Sequence, residues 1–246
     1  MRTALLADIH ANREALDAVL DAVAGLRVDR LVFLGDMVGY GPDPDYAVEK
    51  VAELVSSGAL CVKGNHDEAV LSGPAGMNEI ASEAVEWTRT RLSARHIEFL
   101  KALPLSRRDG EDLFVHASAR SPERWHYVTD ASAAADCLDA TDATNVFCGH
   151  THVPAIHYAL PGRSPHPFTP RDGVATPLST FRRHVVVVGA VGQPRDRNPA
   201  ACLGLVDHAA RTMTMLRVPY DHETTARKID AAGLSPWLGM RLRIGR

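Results

Sequence analysis

The chain has 246 residues, of which 46% are hydrophobic, so it can bury the core of a sizeable soluble domain. Its 27 basic residues are outnumbered by 30 acidic ones and form no cluster, so we expect no extended binding to duplex nucleic acid. No apolar run approaches the ~20 residues of a membrane span, and no signal-peptide pattern precedes the first predicted strand. With four cysteines that show no close pairing, these features predict a cytoplasmic protein that does not insert into membranes.

Five short apolar runs predict buried strands in the first part of the chain. They cover residues 4 to 7, 31 to 34, 60 to 62, 113 to 115 and 146 to 148. Apolar residues at helical spacing predict one helix between the N-cap Asn12 and Gly25, and a second between Pro44 and Gly58. This alternation of strand and helix indicates an α/β fold with parallel strands and right-handed crossovers.

The remaining segments complete a single predicted domain over residues 1 to 246. Residues 72 to 104 have helical patterns and are interpreted as a helical insertion that flanks the functional site. A proline-rich stretch from Pro161 to Pro177 lies among four further strand-like runs. These runs, residues 153 to 160, 184 to 188, 201 to 206 and 212 to 218, predict a second, more antiparallel sheet.

A polar cluster directly follows each of the first five strands. The clusters are Asp8-Ile9-His10, Gly35-Asp36, Gly64-Asn65-His66-Asp67, His116 and Gly149-His150-Thr151-His152. Each one alone has an ordinary explanation, such as a helix cap or a turn. Together, at the strand ends where ligands bind in open α/β sheets, they indicate a metal site. Their mixture of oxygen and nitrogen donors suits Mn, Fe, Zn, Co or Ni ions and is too rich in nitrogen for calcium.

Such a donor set fits the hydrolysis of phosphate esters. An anionic nucleophile must approach an anionic phosphate, and two adjacent cations can orient the phosphate, stabilise the developing charge and activate water. No nucleophilic side chain is then required. The sequence therefore predicts a phosphoester hydrolase that contains two metal ions.

The order of the five clusters resembles that of the calcineurin-like metallophosphoesterase superfamily, with its blocks Asp-x-His, Gly-Asp, Gly-Asn-His-(Asp or Glu), His and Gly-His-x-His. Residues 36 to 44 and 188 to 196 are also similar to a bacterial and archaeal branch of small single-domain phosphoesterases related to diadenosine tetraphosphatases. The resemblance implies a layered αββα sandwich of two mixed sheets flanked by helices. Ala11 and Ala117 stand where the pattern usually has glycine, and we expect altered loop packing there, with the metal site retained.

The resemblance also implies a role for each matched residue. One metal ion would be held by Asp8, His10, Asp36 and His152, and the other by Asp36, Asn65, His116 and His150. Asp36 would bridge two divalent transition-metal ions, among which manganese is favoured. His66 would be the general acid for the leaving group. Asp67 would either orient the His66 ring in the catalytic site or simply complete the turn.

Several alternatives stay open at this stage. The expected substrate is a small phosphoester or a nucleotide-type compound, while a nuclease, a protein phosphatase or a non-catalytic metal-binding scaffold are the other possibilities. The Asp-Arg that usually follows the Gly-Asp block of Ser/Thr protein phosphatases is absent here, and retention of His66 favours an enzyme. Arg120, Arg124 and Trp125 either reach over the site or belong to a solvated loop. The roles of Tyr40 and Arg195 and the oligomeric state cannot be read from the sequence.

Overall fold

Twelve strands and eight α-helices alternate along residues 1–246, all of which are described by the computed structural model. The strands are β1 (Arg2–Leu6), β2 (Arg30–Phe33), β3 (Leu60–Cys61), β4 (Ser106–Asp109), β5 (Asp112–Val115), β6 (Asn145–Cys148), β7 (Ala155–Ala159), β8 (His166–Phe168), β9 (Thr176–Pro177), β10 (Arg183–Val187), β11 (Ala201–Asp207) and β12 (Thr212–Val218). The helices are α1 (Arg13–Ala24), α2 (Pro44–Ser56), α3 (Asn65–Ser72), α4 (Glu79–Arg89), α5 (Ala94–Ala102), α6 (Ala131–Asp139), α7 (His222–Ala231) and α8 (Pro236–Ile244).

The strands form two mixed sheets of six strands each. The first sheet has the order β3-β2-β1-β11-β12-β9, and the second has the order β4-β5-β6-β10-β7-β8. In the first sheet, β1 is parallel to β2 and antiparallel to β11. In the second, β6 runs parallel to both β5 and β10. Each sheet therefore contains a parallel group of strands whose C-terminal ends lie along one edge.

The two sheets pack face to face because side chains alternate along each strand. Leu5 of β1 belongs to the apolar core between the sheets, whereas Leu6 faces the layer that contains α1 and α2. In the second sheet, Phe147 packs between the sheets, and its neighbour Val146 faces α6. The predicted αββα sandwich of two mixed sheets flanked by helices is therefore confirmed.

The second sheet was predicted wrongly in one respect. Of the four strand-like runs after residue 152, two correspond to β7 and β10 and join the second sheet. The other two, β11 and β12, extend the first sheet, where Arg2 of β1 is paired with Asp207 of β11. Because β1 is buried on both faces and needs hydrogen-bond partners on both edges, it takes β2 on one side and β11 on the other. Local periodicity contains no information on this long-range pairing.

The predicted helices α1 and α2 begin and end close to the expected residues. The side chain of Asn12 caps α1 by accepting a hydrogen bond from the Ala15 N–H at 3.1 Å, and Gly25 follows its last turn. Two helices, α4 and α5, lie in the region from 72 to 104. Helix α4 also packs against α7 and α8, where Ala84 belongs to one cluster with Leu238. Helices α6, α7 and α8 were not recognised in the sequence.

Two features bear on the predicted environment of the protein. None of the eight helices combines the length and the apolar character that crossing a membrane would demand. All four cysteines are buried as free thiols, and burial raises the pKa of each of them. They are therefore packed as small apolar side chains.

Candidate metal centre

The five polar clusters meet at the edge where the parallel strands of both sheets end. Asp8 follows β1, Asp36 follows β2, and Asn65 begins α3 just after β3. From the second sheet, His116 follows β5, while His150 and His152 follow β6. A bridge between Ala7 and Ala190 joins the two sheets at this point. The fold thus brings together seven potential ligands that are up to 144 residues apart in the chain.

The backbone at this edge is strained. Seven residues other than glycine have left-handed φ angles between 49° and 66°, namely Asp8, His10, Ala11, Asp36, Tyr40, His150 and His152. Such a conformation costs about 1 to 2 kcal/mol for each residue that has a Cβ atom. The φ of 50° at Ala11 explains why glycine is usual at this position. Strain of this kind persists where the surrounding structure holds side chains in a functional arrangement.

One group of ligands places two unprotonated ring nitrogens against each other. Nδ1 of His10 is 3.0 Å from the Val38 carbonyl, and Nδ1 of His152 is 2.7 Å from the Gln193 carbonyl, so both Nδ1 atoms carry the proton. The two Nε2 atoms lie 3.2 Å apart with their lone pairs exposed to each other. An oxygen of Asp8 is 3.5 Å from Nε2 of His152. Three acceptors without a proton between them fit a cation.

The second group surrounds His116. Its Nδ1 donates to the Leu34 carbonyl at 2.7 Å, which turns Nε2 towards the other members of the group. Within 3.3 Å of that Nε2 lie Oδ1 of Asn65, Nδ1 of His150 and Oδ2 of Asp36. The same Asp36 oxygen is 3.7 Å from Nε2 of His10 in the first group. Asp36 therefore lies between the two groups, and this donor set also fits a cation.

Burial and the Asp36 carboxylate together set the protonation of the rings. Burial keeps the pKa of His10 and of His152 well below the usual value, so these rings are neutral and able to bind metal. Burial also opposes protonation of His116, but the nearby Asp36 carboxylate outweighs it and raises the pKa of His116 to about 9. A cation bound to His116 would take the place of that proton, so metal binding should release protons.

His66 lies beside both groups without belonging to the seven ligands. Its ring centroid is 4.4 Å from that of Tyr40 and 4.9 Å from that of His10. A Cβ atom at Gly39 would be 2.4 Å from Nδ1 of His66, so the absence of a side chain at residue 39 makes room for the ring. Burial lowers the pKa of His66 to about 4, and the ring is neutral at neutral pH in the free protein. The buried Nδ1 has no hydrogen-bond partner in the protein.

Asp67 holds the loop that carries Asp36 and does not contact the His66 ring. Its two oxygens accept hydrogen bonds from the backbone N–H groups of Asp36, Met37 and Gly64 at 2.9 to 3.0 Å. Of the two interpretations of Asp67, the structure favours completion of the turn. The carboxylate is occupied by these backbone amides and holds the loop of Asp36 in place.

An open cleft of about 310 Å³ adjoins the ligands and has aromatic walls. Trp125 lies along the cleft, with its ring centroid 5.9 Å from that of His116, and Tyr127 stacks on His150 at 4.0 Å. Arg120 instead pairs with Asp136 on the surface, and Arg124 is exposed and lies outside the cleft. Tyr127 was missed in the sequence because no motif marks it.

The comparisons with known proteins agree with this geometry. A family model described as the calcineurin-like phosphoesterase superfamily domain matches residues 1–210. An uncharacterized protein of Methanocaldococcus jannaschii is 32% identical over 249 residues, which span 99% of this chain and 98% of that protein. The chain therefore belongs to the calcineurin-like phosphoesterase superfamily, as its motifs predicted.

Two solved structures share the fold. The metallophosphoesterase from Sphaerobacter thermophilus is 38% identical, with a TM-score of 0.87 over 100% of this chain and 99% of that one. A hypothetical protein from Pyrococcus horikoshii is 18% identical, with a TM-score of 0.81 over 100% of this chain and 98% of that one. The similarity extends over the full length in both cases and therefore includes the C-terminal helices.

Proposed function

We propose that this protein is a metal-dependent hydrolase of small phosphoesters, including nucleotide-type compounds, and that it uses two divalent transition-metal ions. One observation carries the proposal: Nε2 of His10 and Nε2 of His152 face each other at 3.2 Å while both Nδ1 atoms are already committed to carbonyls. Such an arrangement is repulsive unless a cation lies between the rings. Membership of a phosphoesterase superfamily supports the same chemistry.

In this proposal, one ion is bound by Asp8, His10, Asp36 and His152, and the other by Asp36, Asn65, His116 and His150. Asp36 would bridge the ions, because its Oδ2 lies within 4 Å of a ring nitrogen from each group. When bound, the two cations would activate water and offset the charge of the phosphate. The protein orients three of the rings through the carbonyls that accept from Nδ1 of His10, His116 and His152, in the manner usual for metal-binding histidines.

We assign His66 to the leaving-group side of the reaction. Its ring lines the cleft, and one ring nitrogen has no other partner in the protein. A neutral ring donates a hydrogen bond to a phosphate oxygen, and the negative charge of a bound phosphate favours a proton on His66, which can then pass to the departing oxygen. Asp67 acts only through the loop of Asp36 and is a positioning residue.

Several features favour a small substrate over a polymer or a scaffold role. The cleft is about 310 Å³ in volume, and the chain has more acidic than basic residues, so there is no surface for many backbone phosphates. A nuclease or a protein phosphatase is less well supported for this reason. A scaffold without metal ions would leave the facing lone pairs and the strained loops uncompensated, and a metal-binding scaffold would have no use for the unpartnered ring of His66 in the cleft.

The test is to strip purified protein with a chelator, reload it with manganese, and measure metal content and hydrolysis of bis(p-nitrophenyl) phosphate. We expect two ions per chain and activity that disappears and returns with the metal. His116→Gln should lower both, whereas His184→Gln, a change of a buried histidine outside the site, should lower neither. At most one ion at saturation would refute the two-metal centre, and lack of hydrolysis of any small phosphoester would refute the proposed activity.

A further inference from the structure

Two aromatic side chains reach the cleft from one loop. Trp125 and Tyr127 lie between β5 and α6, and both line the cleft beside the metal ligands. The indole ring of Trp125 is inclined by 70° to the ring of His116, with 5.9 Å between the centroids. The ring of Tyr127 is nearly parallel to that of His150, with 18° between the planes and 4.0 Å between the centroids. Each aromatic ring is therefore next to a proposed metal ligand.

These two rings do not belong to the apolar core. Neither is a member of the four clusters of buried apolar side chains, whereas Val128, the next residue along the chain, is buried in the cluster that includes α6. Tyr127 is 53% exposed, and Trp125 is half-buried. Because His150 covers only one face of the Tyr127 ring, the opposite face is free. Packing on His150 therefore accounts for half of this ring and leaves the other half available to a ligand.

The loop that carries the rings is anchored on α6 at both ends. Near its start the Ala119 N–H donates to Sγ of Cys137 in α6 at 3.3 Å, and near its end Val128 packs into the same apolar cluster as Cys137. Between these anchors, Trp125 directly follows the single helical turn Pro122–Arg124 and has a left-handed φ of 55°. This conformation is unfavourable for a bulky side chain and persists where the structure holds that side chain in a functional position. The loop therefore holds the rings at the cleft before any ligand binds.

The cleft combines a polar part with an apolar part. The metal ligands and His66 form the polar part, and Ala69, Met77 and Ala81 of the segment from α3 to α4 add apolar surface to that of the two aromatic rings. A methionine side chain adapts its shape to a planar group. A volume of about 310 Å³ is within the range of small-molecule sites. This combination fits a ligand that carries a phosphate and a planar ring in one small molecule.

We propose that Trp125 and Tyr127 form a stacking subsite, which binds a planar aromatic group of a substrate whose phosphate lies at the metal centre. Aromatic side chains stack on planar rings in offset or edge-to-face arrangements, and every nucleobase has a face suited to this contact. The subsite therefore selects a planar ring as such, from a nucleobase or from an aryl ester, and does not distinguish one base from another. This inference rests on the proposed function for the position of the phosphate.

Two pairs of competitive inhibitors test the subsite in the manganese-loaded protein. AMP and ribose 5-phosphate differ by the base, and phenyl phosphate and methyl phosphate differ by an aryl ring. The Ki values are measured from initial rates of hydrolysis of bis(p-nitrophenyl) phosphate. For the wild type we expect, in at least one pair, a Ki at least about 10-fold lower for the compound with the ring, as one stacked base provides. A preference confined to the first pair identifies a nucleobase as the ligand, and one confined to the second pair identifies an aryl ester.

Substitution of the two rings should remove this preference. Trp125→Leu and Tyr127→Leu should each reduce the ratio of the two Ki values severalfold, and the double variant should bring the ratio close to one. Tyr127→Phe keeps the ring and should preserve the ratio, as should Phe181→Leu, which removes an exposed aromatic side chain outside the cleft. The ratio is the informative quantity, because a disturbance of the metal centre through His150 would change both Ki values of a pair alike.

The same inhibition experiment can overturn the proposal. Equal Ki values within both pairs in the wild type would refute the subsite. A preference that survives in the double variant would show that other parts of the cleft recognise the ring, and would refute the assignment to Trp125 and Tyr127. Thermal unfolding curves establish that each variant is folded before its Ki values are compared.

A second measurement separates this inference from the proposed function. Calorimetric titration of the manganese-loaded protein with the four compounds measures binding and does not depend on hydrolysis. A ring-dependent affinity that is present in the wild type and lost in the double variant supports the subsite even if the protein hydrolyses nothing, in which case only the proposed function fails. Hydrolysis combined with equal affinities within both pairs would leave the function standing and refute the subsite, and so would a failure of all four compounds to bind.

Discussion

Gly64 is the residue at which one added methyl group should damage the metal centre most directly. A Cβ atom at this position would lie 2.1 Å from Oδ1 of Asp36 and 2.3 Å from its backbone nitrogen. Ordinary contact requires about 3.4 Å, so Asp36 and its loop would have to move by more than about 1 Å. The loop is held by hydrogen bonds from two of its amides to Asp67, so the displacement cannot be absorbed locally.

We expect Gly64→Ala to destabilise metal-free protein by about 1 to 3 kcal/mol, the usual cost of overpacking a buried site. A displacement of about 1 Å at the bridging carboxylate should lower the hydrolysis of bis(p-nitrophenyl) phosphate on the order of 100-fold. Urea unfolding, metal content after manganese loading and initial rates measure these effects. Gly25→Ala is the matched control, since its added Cβ would be 3.5 Å from the nearest atom and its φ is −80°.

The control variant should keep the rate, the metal content and the stability of the wild type within about 0.5 kcal/mol. If Gly64→Ala retained a rate and a metal content within twofold of the wild type, the close approach of residue 64 to Asp36 would not control the site. The reasoning from backbone proximity to ligand position would then be wrong.

Four further substitutions have separate expected outcomes. Asp36→Asn should weaken the binding of both metal ions together, whereas Asp8→Asn should mainly weaken one; titration with manganese, followed by elemental analysis, distinguishes the two patterns. His66→Ala should retain both ions yet lose about 10²- to 10⁴-fold in rate on alkyl phosphoesters and much less on activated aryl esters, because a basic leaving group needs the proton most. Equal losses of rate on both kinds of ester would instead indicate that His66 positions the phosphate. Burial lowers the pKa of His184 from 6.5 to about 4, so the unfolded chain binds more protons than the folded one and stability falls as the pH drops from 6.5 towards 4. The ring lies beside the exposed Arg182, whose charge is screened by solvent, so we expect the loss of stability to be about 1 to 2 kcal/mol at pH 4.5. The unfolding free energy should therefore differ less between pH 7.5 and pH 4.5 in His184→Gln than in the wild type.

Most of the candidate site could be predicted from the sequence because its residues occupy equivalent places in successive structural units. An apolar run that ends in a polar cluster marks the C-terminal end of a buried strand, and parallel strands bring those ends to one edge. Asp8, Asp36 and Asn65 follow three neighbouring strands in this way, and His116 and His150 follow two neighbouring strands of the other sheet. Local patterns therefore sufficed to predict that these residues converge.

The tertiary structure alone decided the details that depend on contacts between distant segments. Asp67 was left with two roles because the sequence does not show that four backbone amides surround its carboxylate. Tyr127 follows no motif, and only the path of its loop places it on His150.

The same distinction explains the errors in the fold. The sequence by itself determined which segments are apolar enough to become strands, since burial follows from local composition and period. It did not determine that β11 and β12 belong to the first sheet. The pairing of Arg2 with Asp207 depends on free backbone N–H and C=O groups along one edge of β1, and any strand could provide hydrogen-bond partners for these groups. The position of Arg241 beside Tyr40 has the same origin: α8 reaches Tyr40 only because its apolar face packs against α4 and α7.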